Sequence, residues 1–108
     1  MTNQDLLLTL KALGEETRLK IIYLLCQEEL CVCELMKKLN LSQSTVSHHV
    51  KVLKQAGLLD VRKIAKWTFY SLRKEAFYSI EGLIRQEVLA PVLGSQVRLK
   101  KAPSISCN

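Results

Sequence analysis

The sequence predicts a mainly α-helical fold with one small β-hairpin, in the order ααααββα, and three observations predict it. Leucine, isoleucine and valine recur at helical spacing in five separate stretches of the chain. Between residues 59 and 72 branched and aromatic residues come in two short runs instead, which suits strands. With 108 residues there is room for one domain and not for two. A lone domain of this size buries a modest core, so pairing with a second copy is an expected source of stability.

The elements follow in order. From Asp5 to Leu13, leucines at 6, 7, 10 and 13 form a helical stripe that Gly14 ends. A second helix is expected from Glu15 to Gln27, with Leu19, Ile22 and Leu25 or Cys26 on its inner face. A short third helix runs from Val32 to Leu39 and is broken at Asn40. Ser42 then stands where a hydroxyl can cap the next helix by accepting from an orphan amide. That fourth helix, Gln43 to Ala56, buries Val46, Val50 and Leu53, and Gly57 supplies a left-handed stop. Strands are expected at Leu59–Ile64 and Thr68–Leu72, joined around Ala65 and Lys66. The last helix spans about Lys74 to Leu89, with Phe77, Ile80, Ile84 and Val88 at helical spacing and Pro91 past its end. A short helix, a tight turn, a longer helix and a basic hairpin make a winged helix-turn-helix. Residues 1–93 are expected to form that DNA-binding and dimerisation domain, and 94–108 a flexible C-terminal tail.

Charge placement points to a polyanion. The net charge is +6, but residues 37–74 carry nine basic side chains against the single acid Asp60. A central basic block between acidic flanks is the electrostatic footprint of a nucleic-acid binder, although a solvated charged face would look similar. No apolar run reaches the length of a membrane span, and the start lacks the pattern of a signal peptide, so a cytoplasmic protein without membrane contact is expected.

The stretch LSQSTVSHHVKVLKQAGLL at 41–59 sharpens the expectation. With Val46, Val50 and Leu53 facing inward, the outward face shows Gln43, Ser44, Ser47, His48, Lys51 and Lys54, with Thr45 on the edge. Short hydroxyl and amide groups at a helix start can approach base edges in the major groove of double-stranded DNA, while lysines suit phosphates. Arg62, Lys63 and Lys66 sit on the hairpin, where a wing meets backbone or minor groove. His49 falls between Val46 and Leu53 on the inner side and reads as a packed, hydrogen-bonded histidine rather than a base reader.

These residues resemble the ArsR/SmtB family of metal-sensing repressors. The resemblance is carried by LGEETRLKIIYLL (13–25), ELCVCEL (29–35), the 41–59 stretch and KWTFYSL (66–72), in the family's order and spacing. It implies a homodimer built from the first and last helices, bound to a palindromic operator of a resistance operon and released by its inducer. It implies no catalytic role. The family's zinc or cobalt site on the last helix needs Asp and His, and neither occurs between Lys74 and Leu89.

ELCVCEL carries chemistry of its own. Four cysteines are present, Cys26, Cys31, Cys33 and Cys107, and reduced cytosolic thiols suggest a metal site or redox sensing before a disulfide framework. Cys31 stands just before the third helix, three residues ahead of Glu34, which is capping-box spacing with a thiol in place of a hydroxyl. Sulfur is a poor cap, so this helix start should open easily, and a helix N-terminus favours the metal-binding thiolate. Residues two apart on a regular helix diverge, so a shared ion should reorient the first turn and, through it, the recognition helix. All-sulfur ligation favours As(III) or Sb(III) as inducer, with no organic cofactor. The family's arsenic-type box places a third cysteine where this chain has Met36. Cys107, from the same or the partner chain, is the expected third ligand, the alternative being a free thiol in the tail; Cys26 reads as a small core residue.

Competing readings differ in what they use. A thiol-redox-responsive repressor would employ Cys31 and Cys33 as an oxidisable pair. A thiol enzyme would need an acid or base beside the cysteines, and the two histidines fall on the DNA-facing helix instead. A protein-interaction module would leave the basic block without a use.

Overall fold

The computed structural model describes residues 3–102. Four helices open the chain: α1 (Asn3–Leu13), α2 (Glu16–Leu25), α3 (Val32–Leu39) and α4 (Gln43–Gln55). Strands β1 (Leu59–Ile64) and β2 (Trp67–Leu72) pair antiparallel, from Leu59 opposite Leu72 to Ile64 opposite Trp67. A helical rod follows, α5 (Lys74–Ile84), a π-helical turn (Arg85–Leu89) and α6 (Ala90–Leu93), and the described residues after it, up to 102, form no helix or strand. The architecture is the mainly α winged helix-turn-helix that the pattern predicts.

Local chemistry places the boundaries. Glu15 caps α2, its carboxylate accepting the Arg18 amide at 2.8 Å. Ser42 caps α4 by accepting the Thr45 amide at 3.3 Å. Asn40 takes the left-handed conformation, φ 55°, that ends α3 and turns the chain into α4. At the far end of α4, Gly57 at φ 78° donates to Lys54 O at 2.9 Å and Leu58 donates to Leu53 O at 3.1 Å. These paired bonds form a Schellman stop sealed by Leu53 and Leu58, both fully buried. Ala65, at φ 52°, makes the first corner of the two-residue hairpin turn.

The core joins Ile21 of α2, Leu30, Leu35 of α3, Val46 and Leu53 of α4, Leu58 and Leu59, with Ala76 and Ile80 from α5. Helix α1 lies against α5, α2 and α4, so it braces the last helix against the helix-turn-helix.

Several expectations are corrected. Leu19 is 36% exposed, because the buried stripe of α2 runs through Ile21, Ile22 and Leu25. Cys26, at the end of α2, is exposed and not a core residue. Strand β2 begins one residue earlier than expected, at Trp67. The last helix does not stop at Leu89 but continues through Pro91 to Leu93. Proline lacks an N–H and crowds the carbonyl four residues back. Here the preceding turn is wide, with the Ala90 N–H reaching Arg85 O five residues back, which relieves that crowding.

Along this rod Ile80 is buried, while Ile84 and Val88 are exposed at 37% and 48%. Ile80, Ile84, Val88 and Val92 repeat every four residues, and on an α-helix such a row drifts by about 40° per step. The π turn absorbs an extra residue and brings the second half of the row back into line.

Candidate nucleic-acid interface and cysteine groove

Helix α4 is fixed from behind by Val46, Val50 and Leu53, all buried, and this leaves its opposite face open. Gln43, Ser44, Thr45, His48, Lys51 and Lys54 are exposed there, while Ser47 is half-buried. The Ser42 hydroxyl donates to Thr45 Oγ1 at 2.9 Å and lies 3.2 Å from Ser44 Oγ, so the first turn carries a small hydroxyl network. Ser47, Lys51 and Lys54 border a cleft of about 200 Å³ against Val32 and Tyr70, where the recognition helix meets the hairpin.

His49 belongs to a different network. Its Nδ1 accepts from Arg18 Nη1 at 3.2 Å, which requires the neutral ring because a guanidinium only donates. Arg18 also donates to Ala12 O at 2.6 Å and Lys11 O at 3.2 Å, tying off the end of α1. The Glu15 carboxylate lies 3.6 Å from the same His49 nitrogen. Burial pushes the His49 pKa below 6.5, Glu15 opposes that shift, and the charges of Arg18 and His48 add to it. His49 of α4 is thus held at the start of α2, through an arginine that also ties down the end of α1.

In the hairpin, Lys63 is exposed and Lys66 Nζ stands 5.4 Å from the centre of the Trp67 ring. Arg62 is not free: its guanidinium pairs with Glu29 through two contacts, one of them Nε to Oε2 at 3.1 Å, and stacks 5.6 Å over Phe69. That pairing holds the Glu29 carboxyl below its ordinary range. Leu30, next to Glu29, exchanges two backbone bonds with Tyr70, at 3.1 and 2.9 Å. The segment before α3 is therefore tied to β2 through one antiparallel bridge.

Cys31 and Cys33 border one groove of about 310 Å³, together with Glu34, Lys37, Trp67 and Phe69. Cys31 is 7% exposed and sits at the N-cap of α3 in extended conformation, so the two cysteines are not a regular-helix pair. Glu34 accepts the Cys31 amide at 3.1 Å, the carboxylate half of the capping box, and this bond chiefly lowers its pKa. Cys33 is exposed. Met36 packs against the core rather than bordering the groove. Cys107 lies outside the described residues. Among the described residues no three His, Cys, Asp or Glu side chains stand close enough to hold a metal ion.

The sequence reading missed Arg18, Glu29, Trp67 and Phe69. Arg18 could have been found, since it falls on the stripe of Ile21, Ile22 and Leu25, where a charged residue must have a partner. Glu29 and Arg62 are 33 residues apart, and no local pattern links them.

Residues 15–61 match the profile described as "Bacterial regulatory protein, arsR family". The chain is 37% identical to the arsenical resistance operon repressor of Bacillus subtilis, over 72% of this chain and 72% of that protein. It is 43% identical to a cadmium resistance transcriptional regulatory protein CadC homolog of Staphylococcus aureus, over 66% of this chain and 60% of that one. Among solved structures, reduced HlyU from Vibrio cholerae superposes with a TM-score of 0.63 at 40% identity, covering 79% of this chain and 90% of the other. With a basic face on α4, a hairpin wing and these relatives, the chain belongs to the arsR family of DNA-binding transcriptional regulators.

Proposed function

We propose that the protein is a cytoplasmic homodimeric repressor that binds a palindromic operator and leaves it when Cys31 and Cys33 take up As(III) or Sb(III). The observation that carries this reading is the shared groove: two thiols border it, and its far wall is the wing. Gln43, Ser44, Thr45, Ser47 and His48 are the proposed base-reading group, with Lys51, Arg62, Lys63 and Lys66 on phosphates. The name of the Bacillus relative supports arsenite as inducer, and the name of the Staphylococcus relative makes cadmium the first competitor to test. Cys107 is the proposed third sulfur.

A ligand shared by the Cys31 and Cys33 thiols draws on the N-cap residue of α3, and in this reading the strain loosens the Glu34 bond and the first turn of the helix. The ligated state then fits DNA less well, and the two binding events oppose each other by linkage. Such sulfur donors prefer soft trivalent ions to hard cations.

The test is fluorescence anisotropy of a labelled duplex from the protein's own upstream region, titrated separately with arsenite, cadmium and peroxide. Arsenite in reducing buffer is expected to release the parent protein at near-stoichiometric amounts. A Cys31→Ser variant is expected to bind the duplex and ignore arsenite. Release of that variant by arsenite would place the site elsewhere, and release by peroxide alone would make the pair a redox switch.

A further inference from the structure

We infer that Glu29 is a positioning residue for the wing, holding Arg62 on the same face as Cys31 so that the cysteine segment governs a guanidinium that DNA phosphate would otherwise take. This rests on the proposed roles of Cys31 and Arg62 and adds the route between them.

The route is built from strand alternation. Leu30 pairs with Tyr70, and Tyr70 pairs with Val61, so three extended segments lie side by side. Leu30 is fully buried beneath this small sheet. Side chains alternate along a strand, so Glu29 and Cys31, flanking Leu30, share the opposite face. On β2 that face carries Phe69 and Trp67, and on β1 it carries Arg62, opposite Phe69. Across this face Glu29 grips Arg62, Arg62 covers Phe69, and Phe69 with Trp67 walls the cysteine groove. A shift of the chain at Cys31 therefore acts on Glu29, two residues away, and on the aromatic wall beneath the guanidinium.

An exposed ion pair by itself contributes little to stability. Its effect on binding is larger, because phosphate and Glu29 compete for one cation. In the parent, Nε and Nη2 of Arg62 are taken by Glu29, whose negative charge offsets that of the guanidinium at an approaching phosphate. With Glu29→Gln the charge competitor is gone, and Arg62 neutralises a phosphate whatever the cysteine segment does.

The experiment measures operator affinity against salt for the full chain and for Glu29→Gln, Glu29→Asp and Arg62→Gln, with and without arsenite. Circular dichroism and sedimentation confirm that each variant folds and associates as the parent does. Removing the competitor is expected to steepen the slope of log K on log salt by about 0.9, one phosphate contact. A fourfold rise in salt then costs Glu29→Gln about threefold more affinity than it costs the parent. Glu29→Asp is expected to return towards the parent, and combining Glu29→Gln with Arg62→Gln to abolish the added slope. An unchanged salt slope in Glu29→Gln overturns the inference. Failure of arsenite to release the parent overturns the inducer reading instead, and the salt slope still decides whether Glu29 withholds Arg62.

Discussion

His49 and Arg18 set the behaviour of the recognition helix in acid. The ring is neutral while it accepts from Arg18, and burial keeps it so by lowering its pKa. The unfolded chain takes up that proton near pH 6.5, whereas the folded one resists it. This contribution to stability is therefore complete above pH 6.5 and is lost as pH falls below it. Urea midpoints are expected to drop between pH 7.5 and 5.5, and His49→Asn, which keeps an acceptor without titrating, should flatten that leg. An equal drop in the variant would remove His49 as its source. Below pH 4.5 a second loss is expected from Glu15, Glu29 and Glu34, whose pKa values are all lowered by hydrogen bonds in the fold. That His49 turns inward was legible from its place between Val46 and Leu53. Its partner was not, because the phase of α2 was read through Leu19 rather than through Arg18.

Helix ends were the most legible elements, and the reason is physical. Capping is local chemistry, so Ser42 and Gly57 announce the ends of α4 within a few residues of sequence. The last helix escaped for the complementary reason. Pro91 normally marks an end, but a widened turn accommodates it, and nothing local distinguishes those cases. The hairpin offers a test of what its turn costs. Ala65 occupies a left-handed conformation that a Cβ disfavours. Ala65→Gly is expected to stabilise the protein by about 1 kcal/mol in urea denaturation, offset in part by the freer unfolded chain. A destabilised variant would mean that the Ala65 methyl contributes more than its backbone strain removes.

At the scale of the whole molecule, the apolar surface is distributed unevenly. Leu7 and Leu8 on α1, and Ile84, Val88, Leu89, Val92 and Leu93 on the terminal rod, are exposed large hydrophobics. Exposed apolar side chains of this number on a small domain are where the seam of the proposed homodimer is expected. Val88→Glu is expected to yield monomers by sedimentation with the helical content kept, and to weaken operator binding at least tenfold, since each half-site is then bound alone. A variant that still sediments as a dimer would move the seam off the rod. The sequence revealed which helices carry spare leucines and valines. It could not show that the last helix runs on past Pro91 through a π turn, nor that a glutamate and an arginine far apart in the chain meet beside the cysteines. Trp67 adds an optical consequence. It is the chain's single tryptophan and forms a wall of the groove with Cys31 and Cys33. Every indole photon from this protein therefore originates beside its thiols, and a heavy ion held there should dim the emission without any label. If arsenite quenches the parent and leaves Cys33→Ser bright, occupancy can be followed directly on DNA and off it, in the same cuvette as the release it causes.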